Sequence, residues 1–396
     1  MTSQVSVRGE EPARVSWVND PKTRGIVFQI VVAVALVAFV YWIIGNTSDN
    51  LRRANIASGF GFLSGRAGFD LSQSLIDYSS NSTFMRAIIV GLLNTLLIAV
   101  TGIITATIVG FLVGIGRLSR NWLISGICTV YVEIFRNIPP LLVIFFWYVG
   151  VLSVLPGPRD SLELPLGGFI NNRGFYAPRV ISEPGFWLVP AAFVLAIVIA
   201  LLIGRWSRLR QRETGQTFPV IRAALALIVV LPTLAFLVMG SPATLEFPSL
   251  GGFSLTGGWV VRPEFLSLYL ALSLYTASFI AEIVRAGVIG VSKGQSEAAF
   301  SLGLSPRRTL RLVVVPQALR IIIPPLTSQY LNLTKNSSLA IAVGYADLVA
   351  IGQTTMNQTG QAIEVVAIWI VVYLGLSLLT SAFMNWYNAK MALVER

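Results

Sequence analysis

IVFQIVVAVALVAFVYWII, residues 26–44, is a run of nineteen residues without a single charge. At ~1.5 Å per residue an α-helix of that length reaches about 28 Å, close to the ~30 Å hydrocarbon core of a bilayer. Lys22 and Arg24 give the run a basic N-terminal flank, as in a secretory leader. A leader's apolar region is shorter, however, and no small-residue cleavage site follows, so an uncleaved transmembrane helix is expected.

The rest of the chain has the same character. Of its 396 residues 55% are hydrophobic and 12% charged, and the mean hydropathy is +0.73, which is the composition of a polytopic, all-α integral membrane protein. The single cysteine, Cys128, excludes a disulfide within the chain, and zero histidines remove the commonest metal ligand and every Ser/His or Cys/His catalytic pair. Catalytic and metal-ligating residues are therefore expected to be none.

Seven further spans follow from apolar runs and the charges that end them: Met85–Ile115, one within 121–155, 186–204, 223–240, 265–287, 318–340 and 363–386. The 35 residues of 121–155 are too long, since one straight helix would extend ~52 Å. Pro139 and Pro140 are the natural break, because proline donates no amide and disfavours helical geometry just before it. An amphipathic lead-in through Arg136 and a span from Leu141 to Leu155 are expected. Pro324 and Pro325 are expected to interrupt the seventh span.

The net charge of +11 is a topology signal. With the N-terminus in the cytoplasm, cytoplasmic segments hold 18 of the 29 basic residues, among them Arg205, Arg208, Arg210, Arg212, Arg307, Arg308 and Arg311. The opposite side receives eight, and an even number of spans places both termini inside. The basic balance thus needs no nucleic acid. Outside, segments 156–185 and 241–263 are rich in Gly and Pro and read as short ordered loops or hairpins.

The longest polar interruption is cytoplasmic, VIGVSKGQSEAAFSLGLSPRRTLRLVVVPQALR at 288–320. Ser292 or Ser296 suits a helix start, Gly303 a left-handed helix end, and Ser305 with Pro306 the start of a second helix. A short helix of small residues at Glu297, Ala298 and Ala299, projecting from the membrane, is shaped to enter a groove on another protein. Arg-rich segments near membranes more often only anchor to headgroups.

Glu297-Ala298-Ala299, three residues, Gly303, nine residues, then Val313, Val315 and Pro316 resembles the coupling-loop signature of importer-type ABC permeases. Two valines stand where the family usually has isoleucine and leucine. YTASFIAEIVRAGVIGVSKGQSEAA (275–299), PQALRIIIPPLTSQYLNLTKNSSLA (316–340), GLLNTLLIAV (91–100) and YVEIFRNIPPLL (131–142) are similar to the polar amino-acid branch. The resemblance covers roughly 85–150 and 265–390. It implies a type I importer core of five helices with an outside N-terminus, supplied by spans two, three, six, seven and eight. Span one and the pair four and five are then additions. The expected organisation is 1–84 (cytoplasmic N-terminus, extra helix, periplasmic segment), 85–155 (first part of the core), 156–263 (inserted loops and helical hairpin) and 264–396 (second part, with coupling loop 292–316).

A long chain of this layout resembles the larger permease subunit of general L-amino-acid importers of the bacterial inner membrane. That resemblance implies a second, shorter permease subunit, two ATPase subunits, a periplasmic solute-binding protein and an amino-acid substrate as partners. No cofactor is expected on this chain, with ATP and Mg bound by the ATPase subunits. The sequence itself has no phosphate-binding loop: Lys22 is the only lysine followed by Ser or Thr, and Pro21 precedes it.

Candidate substrate-path residues are Glu282 and Arg285, three apart on one helical face, and the polar run Lys335, Asn336, Ser337 and Ser338. Glu133 and Arg136 share the first pair's spacing, and for both pairs structural pairing within the membrane is the simpler role. Intramembrane carboxylates also fit an ion-coupled secondary carrier or channel, for which a coupling loop would have no use. A membrane enzyme would need clustered ligands or a nucleophile with its base, and the carboxylates are dispersed.

Overall fold

The computed structural model describes residues 21–53 and 58–391. Helix α1 (Pro21–Arg53) contains the opening run, and none of its apolar window is buried. Helix α2 (Phe84–Arg117) starts at Thr83, whose hydroxyl accepts from the Arg86 amide. Helix α3 (Trp122–Asn137) is capped by the Asn121 side chain, and α4 (Pro140–Phe145) runs on through a π-helical turn, Phe146–Leu152. The two are bent by 111° at the extended residues Ile138 and Pro139, which is the break expected from the proline pair.

Segments 156–185 and 241–263 are small antiparallel sheets. Strands β1 (Leu162–Leu164), β2 (Gly168–Asn171), β3 (Gly174–Ala177) and, from the far side of the insertion, β8 (Trp259–Val261) form one. β4 (Arg179–Ser182) pairs with β5 (Ala243–Glu246), and β6 (Ser249–Gly251) with β7 (Ser254–Thr256). Between β4 and β5 rises a helical hairpin, α5 (Leu188–Thr214) and α6 (Val220–Val238), whose outer surfaces are almost wholly exposed. The ladder at its foot ties the hairpin to the sheet.

The second half comprises α7 (Pro263–Ile289), α8 (Lys293–Ser301), α9 (Pro306–Thr309), α10 (Val315–Asn336), α11 (Leu348–Thr359) and α12 (Ala362–Met391). Pro324 and Pro325 do not interrupt α10, contrary to the expectation from sequence. Each proline removes one amide donor, but Ile322, Ile323 and Leu326 around them are buried in the core. Packing on that face outweighs a local loss that membrane helices tolerate.

Helices α2 and α7 form the central pair. Thr105 meets the Tyr269 hydroxyl at 2.7 Å, and the backbone of Gly110 faces Ile280 and that of Gly114 faces Ala281 and Val284. Contacts advance together along both helices, so the pair is parallel. The chain leaving α2 must therefore return to the side where α2 began, which takes an odd number of crossings. Helices α5 and α6 supply two, and the bent α3–α4 pair supplies the third. Its path agrees: the Tyr131 hydroxyl donates to Leu274 O at 2.6 Å, whereas Tyr148 lies beside Glu264 near the start of α7. The described residues thus hold seven helices long and apolar enough to cross a membrane, and the bent α3–α4 pair is an eighth candidate that this path requires.

Close approach of α2 and α7 depends on missing side chains. A Cβ at Gly114 would stand 2.7 Å from Ala281 O, and one at Gly110 would stand 2.6 Å from the Ile280 Cβ. Gly114→Leu should therefore cost at least the ~1–3 kcal/mol typical of overpacking, read as a lower thermal unfolding midpoint in detergent. Gly126→Ala, with no atom within 4 Å, is the control and should not fall. Equal midpoints for the two would contradict this packing.

Candidate coupling and translocation sites

The polar 288–320 stretch folds as a helix-turn-helix. Ser292 holds the N-cap position of α8 without a side-chain hydrogen bond, and Ser305 precedes Pro306 at the start of α9. Gly303 has φ +75°, and the Leu304 amide reaches back to Ala299 O at 3.1 Å, closing the end of α8 in a left-handed turn. A side-chain hydrogen bond from Gln317 to Gln295, 3.1 Å, ties α8 to the start of α10, where Pro316 is the second residue. Ala299 is the buried residue of α8, while Glu297 and Ala298 face outward. Phe300 and Leu302 are 48% and 82% exposed, so the tip of the loop is a knob with apolar groups left uncovered by the described residues.

At the same end of α7, Glu282 is clamped between two arginines. Arg285 donates Nη2 to Oε1 at 2.5 Å and Nε to Oε2 at 3.1 Å, and Arg117 of α2 takes Oε2 as well. The expected Glu282–Arg285 pairing is thus present, with a third member that spacing along one helix cannot reveal. Glu133 and Arg136 do not pair: Glu133 lies 3.9 Å from Arg117, and Arg136 covers the Phe279 ring at 5.7 Å. The three-residue spacing permitted a pair, but contacts with neighbouring helices displaced it.

Lys335, Asn336, Ser337 and Ser338 lie at the far end of α10. Ser337 is fully buried and donates to Thr334 O at 2.7 Å, Ser338 donates to Lys335 O, and Lys335 is exposed. Along α2 this region neighbours Gly102, which packs on Leu333, whereas Glu282 lies by Arg117. Fifteen residues of helix, about 22 Å, separate the two levels, so the two sets of candidates do not form one site.

Sequence reasoning missed Asp347, which is wholly buried. Its Oδ1 caps α11 by accepting from the Ala350 amide at 2.8 Å. Around it, the Asn94 amide donates to Ala346 O, Tyr345 donates to Asn94 O, and the Leu348 amide donates to Thr95. An acid directly before the apolar run Leu348-Val349-Ala350-Ile351 is a helix-start signal that the sequence does carry. Burial pushes its carboxyl from 3.8 up to about 6, against the Ala350 amide that favours the charged form.

A raised carboxyl pKa means that the folded state holds this proton more tightly than the unfolded state. The contribution is full below pH ~4, declines as pH rises toward 6, and is absent above; the shift corresponds to about 3 kcal/mol. Thermal unfolding midpoints should fall over that window, and Asp347→Asn, which keeps the cap, should flatten the fall. An unchanged profile in that variant would refute the assignment.

Among the described residues no group of three or more His, Cys, Asp or Glu is placed to hold a metal ion. Residues 213–393 match the family described as the binding-protein-dependent transport system inner membrane component. The chain is 67% identical over 96% of its length, and 95% of the relative's, to the general L-amino acid transport system permease protein AapQ of Rhizobium johnstonii. It is 50% identical, over 96% and 97%, to the putative amino-acid ABC transporter permease protein YhdX of Escherichia coli. It is 42% identical, over 96% of each, to the glutamate/glutamine/aspartate/asparagine transport system permease protein BztB of Rhodobacter capsulatus. A bundle of long apolar helices, and such identity along nearly the whole chain, have one meaning: the chain belongs to the permease subunits of amino-acid ABC transporters, inner-membrane components of binding-protein-dependent import systems.

Proposed function

We propose that this chain is the larger permease subunit of a general L-amino-acid importer, with both termini in the cytoplasm. Its partners are a shorter permease subunit, two ATPase subunits that carry ATP and Mg, and a periplasmic solute-binding protein. The α8 knob is the observation that carries this reading: a projection with Phe300 and Leu302 exposed presents apolar groups that a groove on a separate protein would cover. Closure of the ATPases would move α8, and the Gln295–Gln317 bond passes the motion to α10.

The path runs along α10, with Lys335 and Asn336 offering donors near its outer end, while the Ser337 and Ser338 hydroxyls already donate to Thr334 O and Lys335 O. Glu282 and Arg285, already satisfied by one another and by Arg117, hold α2 to α7 at the inner end rather than meeting substrate. Breadth of substrate is the reading's most exposed part. The affinity-purified complex, analysed by mass identification, should contain all four kinds of partner, and reconstituted vesicles should take up acidic, neutral and basic L-amino acids. Uptake limited to one charge class would overturn the general assignment.

A further inference from the structure

A cavity of about 560 Å³ opens on the side where α2 and α7 begin, between segment 72–75, the two helices and strand β8 of the insertion. Gln73, Thr101, Trp259, Arg262, Phe265 and Tyr269 give it its chemistry. Its volume falls within the roughly 300–1,000 Å³ of small-molecule sites. Arg262 is the one ionisable side chain on the wall apart from the Tyr269 phenol. Its guanidinium makes no ion pair or hydrogen bond among the described residues. Glu264, two residues on, faces Tyr148 of the π-helical turn instead.

Phe265 and Tyr269 stack at 5.9 Å with planes 4° apart, which stiffens one wall. The opposite wall is set by the insertion, because Val260 and Trp259 of β8 pair in register with Tyr176 and Ala177 of β3.

We propose that this cavity is an outer subsite for a free L-α-amino acid, with Arg262 taking the carboxylate and the inserted strand β8 completing the wall. A guanidinium grips a carboxylate through two parallel hydrogen bonds. The ammonium group meets the Gln73 amide oxygen and the aromatic faces, and the side chain lies toward Leu75, Leu97 and Val260, which demand little of its identity. The proposal rests on the amino-acid import reading, and under it the insertion serves to hold substrate between the binding protein and the path.

The test uses the purified importer complex in phosphatidylcholine nanodiscs without binding protein. Tryptophan emission is titrated with L-leucine and with 3-methylbutylamine, its decarboxylated counterpart, in wild type and Trp259→Phe. The expected result is a Trp259-dependent change with leucine and none with the amine. Arg262→Gln should weaken the leucine response at least tenfold and raise the uptake KM, and Arg262→Lys should recover part of both. No Trp259 response in a complex that imports leucine, an equal response to the amine, or an unchanged Arg262→Gln overturns the subsite and leaves the importer reading intact. A response only when phosphatidylglycerol is added would also overturn it, by making the cavity a lipid-headgroup holder. A complex that imports no amino acid overturns the functional reading and this one with it.

Discussion

Ala298→Trp should abolish uptake and the stimulation of ATP hydrolysis by substrate-loaded binding protein, while the complex still inserts and assembles in the membrane. Ala298 is exposed on α8, so the indole points away from the core of the described residues and the fold is spared. A partner groove shaped for a methyl group has no such room, and misfit at a docking surface is felt as lost coupling. Gly303→Val reaches the same end by another route. No atom lies within 4 Å of the Cβ it would add, so sterics are not the cause. Its φ of +75° is the difficulty, because a β-branched residue there costs ~1–2 kcal/mol or more and re-aims α8. Gly303→Asn, which tolerates that conformation better, should retain more transport. Normal uptake and normal stimulated hydrolysis in Ala298→Trp would mean that α8 is not the docking element.

Glu282→Ala should be the most damaging substitution for stability among the ionisable residues. It leaves Arg117, whose side chain is 11% exposed, and Arg285, 33% exposed, without their shared carboxylate. Removing one member of a buried ion pair costs ~3–5 kcal/mol; partial exposure of Glu282 and its screening by solvent reduce this to about 2–3 kcal/mol. The Arg117 Nε is already buried without a partner, and the carboxylate left near its guanidinium, that of Glu133, is 55% exposed at 3.9 Å. Protein level in the membrane and the thermal midpoint should both drop, with Glu282→Gln intermediate. Glu133→Ala, whose carboxylate is 55% exposed and 3.9 Å from Arg117, should change little. Equal effects from the two glutamates would contradict the clamp.

The spans are legible in the sequence because about twenty apolar residues suffice to cross a bilayer, and composition alone reveals such a run. The break at Pro139–Pro140 is legible for a similar reason, since two adjacent prolines remove two amide donors and disfavour helical geometry at the residue before them, a local penalty that here stands unopposed. Pro324 and Pro325 mislead because the same local penalty is outweighed by burial of Ile322, Ile323 and Leu326, which is a property of tertiary packing. Arg117 reads as a topology charge, yet it bridges to Glu282 across 165 positions of sequence. Asp347 escapes notice since Asn94 and Thr95, which bond its neighbours Tyr345, Ala346 and Leu348 and bury it, lie some 250 residues earlier. Strands of three or four residues are too short for alternation to register. The helix-turn-helix of α8 and α9 is the most legible local feature, because caps, glycine and proline act within a few residues of one another.

This chain moves amino acids only as the membrane part of an ATP-driven assembly, and the most direct test is uptake of labelled L-amino acid into proteoliposomes. These hold the permease pair and ATPase subunits, with binding protein outside and ATP enclosed. Uptake should require all of these, vanish when a non-hydrolysable analogue replaces ATP, and be indifferent to sodium or proton gradients. Uptake by this chain alone, driven by an ion gradient without ATP, would contradict the account and make the protein a secondary carrier.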